Sequence, residues 1–371
     1  MNSIVRDLLS RATMPSAPRE TPKPKPPAKV TSDDEELENV LKGLKTTIKV
    51  FGCGGAGCNT VNRLAEEGIV GAELFALNTD AAHLLTVHSH RKILLGRRLT
   101  RGLGAGAIPR VGEDAAKESE DDLRKAVQGA DLVFVTCGLG GGTGTGSAHI
   151  VARLAKETGA LVMGICTLPF KAEGVQRLEN AEYGLEKLRG VADTVITIPN
   201  DKLLELVPRL PISQAFKVAD EVLMRAIKGI TEIISKPGLV NLDFNDVRTI
   251  MKGGGVAMIG LGESDSDNRA HDAIEEALNS PLLDVDISEA HGALINVTGG
   301  YNMTIAEAES IAEYVSTKIS PNARIIWGAA VDQDIENKIQ VLVILTGVKS
   351  KHIVGPDSRL RGKKAGLDIV T

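Results

Sequence analysis

Two stretches of this chain carry more glycine than a folded backbone bears without a reason, because each glycine loses extra backbone entropy on folding. In "GLGGGTGTGS", residues 138–147, six of ten positions are glycine, and in "VFGCGGAGCNT", residues 50–60, Gly52, Gly54 and Gly57 have GxGxxG spacing. Each stretch follows a Val/Leu/Phe-rich run and precedes a helical pattern. With no Cβ atoms in the way, backbone N–H groups at a helix N-terminus can close on a phosphate. The first loop alone is ambiguous. A dinucleotide-binding dehydrogenase presents the same loop and then an acidic residue about 20 residues on, and Asp80 in "ELFALNTD" stands slightly late for that role. The second loop favours a mononucleotide triphosphate, whose tail needs donors along its whole length, with Thr143 and Thr145 adding hydroxyls. Neither loop contains the lysine of GxxxxGK[ST], so this is not a P-loop site. The phosphate charge then falls to amides, helix dipoles, a metal ion and a nearby cation, for which Arg177 in "EGVQR" is a candidate.

Other reactive side chains give weaker signals. His83, His88 and His90 read as a surface loop rather than a metal site, since no partner cluster follows. Cys53, Cys58, Cys137 and Cys166 lack CxxC spacing and read as small buried thiols. The 371 residues are 43% hydrophobic, 25% charged and 3% aromatic, with a formal net charge of −5. That is enough for about two domains, with a core of Val, Ile, Leu and Ala and no basic field to recruit nucleic acid. No apolar run approaches the roughly 20 residues of a membrane span and the N-terminus has no signal-peptide core, so a cytoplasmic protein is expected.

The elements that must position the glycines follow from hydrophobic alternation. "TIKVFG", "ELFALN", "DLVFVT", "LVMGICT" and "TVITIP" read as strands separated by amphipathic helices, which predicts a parallel sheet covered on both faces. Ligands of such sheets bind at the carboxyl ends of strands, where both glycine clusters fall. Residues 213–238 read as one long helix ending at Pro237-Gly238, about 35 Å in length. Beyond it, "VAMIGLG", "GALINVTGG", "ARIIWGAAV" and "KIQVLVILTGV" predict strands of a smaller α/β domain, and Thr304 and Glu307 have capping-box spacing. The expected division is a disordered tail over 1–45 with a short helix at its start, a nucleotide-binding domain over 46–212, the central helix over 213–238, a second domain over 239–349 and a disordered tail over 350–371.

"GGGTGTGS" resembles the tubulin signature loop. The chain from about Thr46 to Val348 resembles the FtsZ branch of that superfamily through "FGCGGAGCNTVNRL", "ALNTD", "TRGLGAGAIPRVG", "GLGGGTGTGSA", "PFKAEGVQRLENAEYG", "ITIPNDKLL", "PGLVNLDFNDVRTIM" and "SPLLD". The resemblance implies a tubulin-like fold and a GTPase that polymerises head-to-tail into the filaments of a division ring, in the cytoplasm at mid-cell. It implies that Gly55, Ala56, Gly57, Cys58 and Asn59, with Gly144, Thr145 and Gly146, hold GTP or GDP. It also implies that Glu173 meets the ribose, that Arg177 reaches phosphate, and that Asp220 faces guanine with Asn59 or Asn200 adding a polar contact. Asn78, Asp80 and the "GLGAGAIP" loop are expected near Mg²⁺ and the γ-phosphate. The resemblance also implies that Asp243 and Asp246 are the catalytic pair. The resemblance implies that they belong to a neighbouring subunit's site and orient the attacking water there, and two carboxylates beside a triphosphate in one subunit would repel it. A site made of two different surfaces is a heterologous, head-to-tail contact, which gives open filaments when its rotation does not close.

Cys58 stands where many members of the branch carry glycine. The C-terminus lacks the long linker and anchor peptide of bacterial members, which makes an archaeal type the expectation, with "GLDIV" a hook for a membrane-anchoring adaptor. Two alternatives stand beside this reading: a tubulin-like filament for cell shape or DNA segregation, and a dinucleotide-dependent oxidoreductase, which has no use for "NLDFND".

Overall fold

A computed structural model describes residues 46–206, 212–235, 240, 243–283, 286–332 and 335–348. Both expected tails, the Pro237-Gly238 helix stop and Asp284 of "SPLLD" lie outside the described residues.

The first half is built as the alternation predicts. Strand β1 (Ile48–Cys53) leads into helix α1 (Gly54–Glu66), then come β2 (Ala72–Asn78), α2 (Ala81–Thr86) and β3 (Arg91–Leu94). A loop reaches α3 (Pro109–Glu118) and α4 (Glu120–Val127), and the chain returns through β4 (Leu132–Gly138), α5 (Thr143–Glu157), β5 (Leu161–Leu168), α6 (Val175–Arg189) and β6 (Thr194–Pro199). Strands β1 to β6 are all parallel, in the spatial order β3-β2-β1-β4-β5-β6. The chain therefore leaves β1 in one direction and resumes at β4 on its other side. Between the carboxyl ends of β1 and β4 lies the switch point where such sheets bind ligands.

Both faces of the parallel strands are buried, which is why they read as continuous apolar runs. Alternate residues of β1 point opposite ways: Ile48 and Val50 join the core under α1, with Val61 and Leu64, whereas Phe51 and Cys53 join the core under α3 to α6, with Ala115, Leu123, Val151 and Leu188.

After α7 (Asn200–Leu206), α8 (Ile212–Ser235) is the long helix. Its Val222, Leu223, Ala226, Ile227 and Ile230 share one core with Ile196 and Ile198 of β6 and with Leu294, Leu342 and Ile344 from the second half of the chain. There α9 (Phe244–Met251), β7 (Gly255–Ser264), α10 (Arg269–Leu278), β8 (Gly292–Gly299), α11 (Ile305–Lys318), β9 (Arg324–Val331) and β10 (Ile339–Thr346) follow. These strands extend the same sheet rather than forming another. Three parallel pairs, Thr194–Gly255, Val195–Val256 and Ile196–Ala257, join β6 to β7, and β10, β8 and β9 continue the order. Helices α10 and α11 bury Ile274, Ala277, Ile311 and Val315 against Ile295 and Val343.

Candidate functional site

The two glycine loops meet. Gly54 has φ of +73°, a conformation that L side chains rarely adopt, and a Cβ built on it would lie 2.6 Å from the backbone N of Gly144. Gly144 is equally tight, its Cβ position lying 2.9 Å from the carbonyl oxygens of both Cys53 and Gly138. Glycine at these positions lets the N-termini of α1 and α5 approach each other backbone to backbone. Neither helix has a side-chain N-cap bond or an acidic residue in its first turn. The first N–H groups of each helix lack intrahelical acceptors, and both macrodipoles present their positive ends to one crevice. A polyphosphate fits that field. Gly55 and Gly141 have no atom within 4 Å of a built Cβ, so these two residues leave room for a ligand.

The remaining residues expected at the phosphates divide by what they touch. Ala56 is half-buried. Gly57 and Gly146 are packing glycines: their Cβ positions lie 2.3 Å from the carbonyl oxygen of Thr136 and 2.1 Å from that of Pro109. The Gly146 amide already donates to Gly142 at 3.0 Å. The Thr145 hydroxyl is buried and accepts from the Gly140 amide at 3.0 Å, so it folds the loop from beneath. The Cys58 thiol points into the core toward the carbonyls of Gly52 and Leu77, away from any phosphate. Burial pushes the thiols of Cys53, Cys58 and Cys166 up to about 12, which leaves them inert.

A polar frame ties a third loop to these two. The hydroxyls of Thr79 and Thr143 are 2.6 Å apart. The side-chain oxygen of Asn78 accepts from the amides of Thr79 and Asp80, and Asp80 caps α2 by accepting from the His83 amide at 3.0 Å. The imidazole of His83 bridges Asn78 and Asn59. The "GLGAGAIP" segment docks on this frame through the Gly104 amide to Thr79 and the Ala81 amide to Gly102. Asn180 of α6 donates to the carbonyls of both Ala107 and Gly140, bracketing that segment to the signature loop.

Toward β5 and α8 the lining changes character. Glu173 accepts from the Phe170 amide at 3.0 Å and pairs with Arg177 at 3.3 Å, so the expected ribose and phosphate contacts stand together at the start of α6. Asp220 of α8 is 14% exposed and 3.9 Å from Arg63. Desolvation raises its carboxyl from 3.8 to about 6, against the pull of Arg63. Asn200 is buried with its amide oxygen unpaired among the described residues. Two acceptors of this kind suit a base that offers adjacent N–H donors.

Phe216 is 40% exposed, lies one turn before Asp220 and makes an edge contact with Phe170 at 5.1 Å. An exposed aromatic of this kind can stack on a planar ring. The signal available in the sequence is the four-residue spacing to Asp220. His83 likewise reads as surface in the sequence, although it stands three residues after a helix-capping aspartate.

Asp243 and Asp246 are not in this crevice. Both are exposed at the start of α9, where Asp243 caps the helix by accepting from the Asn245 amide at 3.1 Å. Helix α9 is tied to the amino ends of the parallel strands: Arg248 donates to Gly159, which precedes β5, and Thr194 at the start of β6 donates to Met251. The glycine loops leave the carboxyl ends. The length of β5, about 25 Å, separates the two.

Among the described residues no group of three or more His, Cys, Asp or Glu side chains could hold a metal ion, and no helix is long and apolar enough to cross a membrane.

A sheet ordered in this way, two glycine loops meeting at its switch point and no P-loop lysine define a tubulin-like nucleotide-binding fold. Residues 47–208 match the model of the Tubulin/FtsZ family, GTPase domain, and residues 255–349 match that of the FtsZ family, C-terminal domain. The chain is 60% identical over 337 residues to Cell division protein FtsZ 1 of Archaeoglobus fulgidus, covering 91% of this chain and 92% of that one. It is 57% identical over 336 residues to Cell division protein FtsZ of Haloferax mediterranei, covering 91% and 89%. Among solved structures it is similar to the empty FtsZ dimer of M. jannaschii, with a TM-score of 0.82 and 54% identity over 85% of this chain and 92% of that one. CetZ2 from Haloferax volcanii, at 22% identity over 83% and 95% with a TM-score of 0.72, shares the fold. The chain belongs to the FtsZ family: it is a GTPase of the cell-division type, and the oxidoreductase alternative falls away.

Proposed function

We propose that this GTPase assembles head-to-tail, each subunit's α9 entering the nucleotide crevice of the next, and that Asp243 and Asp246 there orient the water that attacks the γ-phosphate. The observation that carries the reading is the separation of the two half-sites to opposite ends of one parallel sheet. A rigid strand length lies between them, so one chain cannot bring its own aspartates to its own phosphates. A contact between two different surfaces is heterologous, and it builds an open filament when its rotation does not close. The dimer formed by the M. jannaschii relative is in keeping with self-association.

Within the crevice, the amides at Gly54, Gly55, Thr143 and Gly144 receive the phosphates, Glu173 accepts from the ribose, Arg177 balances phosphate charge, and Asp220 with Asn200 reads guanine. A magnesium ion accompanying the phosphates would need only one or two protein carboxylates. Asp80, with one oxygen engaged by the His83 amide and the other without a hydrogen bond among the described residues, fits that modest demand and would hold the ion, which would supply charge neutralisation there. Hydrolysis removes the γ-phosphate on which both subunits converge and so weakens the junction. Filaments of this kind at the division site, held to the membrane by an adaptor bound to a terminal tail, complete the reading.

The test is sedimentation with GTP, GDP or neither, with phosphate release followed across protein concentration. GTP-dependent pelleting, and turnover per chain that rises with concentration, is expected. Equal turnover per chain in dilute monomer and in concentrated solution would refute the shared site.

A further inference from the structure

The hydrogen bonds around His83 have a direction that can be read from their fixed end. Asn78 Oδ1 accepts from the backbone amides of Thr79 at 2.9 Å and Asp80 at 3.3 Å. Backbone N–H groups can only donate, so the orientation of the Asn78 amide is settled and its Nδ2 must be the donor toward His83 Nδ1, 3.1 Å away. With Nδ1 accepting, a neutral imidazole carries its proton on Nε2, and that N–H donates to Asn59 Oδ1 at 3.2 Å. The Asn59 amide is therefore oriented as well. Its oxygen is held by His83, and its Nδ2, which makes no hydrogen bond among the described residues, is left as a donor one turn after Gly55 on α1.

We infer that His83 is a positioning residue for nucleotide binding: it holds the side chain of Asn59 as a hydrogen-bond donor toward an acceptor atom of the bound nucleotide. The inference rests on the proposed crevice being the GTP site. A flipped Asn59 would present its oxygen to a ligand rich in acceptors, so the relay contributes by excluding that state. Without the ring, Asn59 is free to adopt either orientation and its side chain must be ordered on binding.

The test is a double-mutant cycle on the full chain, with GTP affinity measured by calorimetry for the wild type, His83→Ala, Asn59→Ala and the double variant. Loss of one neutral hydrogen bond's worth of order corresponds to about fivefold. His83→Ala is expected to bind GTP about fivefold more weakly, Asn59→Ala at least as weakly, and the double variant no more weakly than Asn59→Ala alone. His83→Gln, which keeps one acceptor and one donor at similar separation, should restore most of the affinity. Losses that multiply in the double variant, or wild-type affinity in His83→Ala, would overturn the assignment. Should His83→Ala fail to fold, the ¹⁵N spectrum of the wild-type imidazole decides: a proton on Nε2 supports the relay and one on Nδ1 overturns it. A wild-type chain that does not bind GTP at all would instead sink the nucleotide reading, and the spectrum would still test the relay.

Discussion

Arg248 donates from its guanidinium to the carbonyl oxygen of Gly159 at 2.9 Å, pinning α9 beneath the entry to β5. Asp243 and Asp246, on the same short helix, are thereby held at the end of the sheet that faces away from Gly55 and Gly141.

This geometry makes complementation between two dead proteins the sharpest check on the shared site. Asp243→Ala should keep GTP affinity within about twofold and lose turnover by about 100-fold or more. Gly55→Asp places a carboxylate among the phosphate-facing amides without a clash, since nothing lies within 4 Å of its Cβ, and should abolish binding. In an equal mixture about one junction in four joins the intact crevice of the first protein to the intact α9 of the second. Phosphate release by the mixture, from proteins each silent alone, is the expected result.

Gly54 and Gly55 are neighbours with opposite jobs, and alanine should separate them. Gly54→Ala forces a side chain into φ of +73° and against the Gly144 backbone, costing about 2 kcal/mol or more. Its melting temperature should fall by about 4–8 °C. Gly55→Ala meets nothing in the protein, and a helical alanine is more stable than glycine by up to about 1 kcal/mol. It should melt no lower than the wild type yet bind GTP about tenfold more weakly, because the methyl occupies the face left to the phosphates. Differential scanning calorimetry and GTP titration of the two variants separate packing from binding.

What is legible in the sequence follows the strength of local signals. Val50, Phe134 and Ile165 lie in apolar runs that only a doubly covered parallel sheet explains, and the Thr304–Glu307 capping box is present as its spacing predicts. The glycine clusters mark the crevice because close backbone approach leaves a trace in residue type. Strand β3 is not legible: "RKIL" is four residues long, at the sheet edge and half polar. Nor is the joining of the two halves, because only three residue pairs between β6 and β7 make the sheet continuous, and pairing of distant strands leaves no periodic signature. Phe216 and His83 escape for another reason. Phe216 looks like an ordinary member of its helix and His83 like part of a surface loop, and only the tertiary neighbours Phe170, Asn59 and Asn78 give each a role.

Glu307 gives a stability prediction whose sign is set by pairing. Its carboxylate meets Arg269 twice, at 2.7 and 3.2 Å, and accepts from the amide and hydroxyl of Thr304, tying α10 to the start of α11. The hydrogen bonds from Arg269 are the first cause that holds it at about 2 rather than 4.5. A carboxylate lowered in the folded state stabilises it above the unfolded value, and that contribution fades as pH falls from about 4.5 toward 2. Glu307→Gln should cost about 2 kcal/mol in urea unfolding at pH 7. Its stability should also decline less than that of the wild type between pH 5 and pH 3.

Asp220 must show the opposite sign. Desolvation raises its carboxyl to about 6, so the folded chain without nucleotide binds this proton more tightly than the unfolded chain does. As pH falls from 6 toward 3.8 the group adds stability to the apo protein, whereas Glu307 has yet to lose most of its own contribution. Guanine needs the ionised form, because a protonated carboxyl offers one acceptor and one unwanted donor to N1–H and N2–H₂. GTP affinity should therefore weaken about tenfold between pH 7 and pH 5, most of it below pH 6. Asp220→Asn should remove that dependence and change the preferred base. Its amide can accept from N1–H and donate to a carbonyl at position 2, so xanthosine triphosphate should overtake GTP as the tighter ligand. Calorimetric titration of both nucleotides at pH 5 and pH 7 against both proteins measures all four quantities, and unchanged guanine preference in the variant would remove Asp220 from the base-reading role.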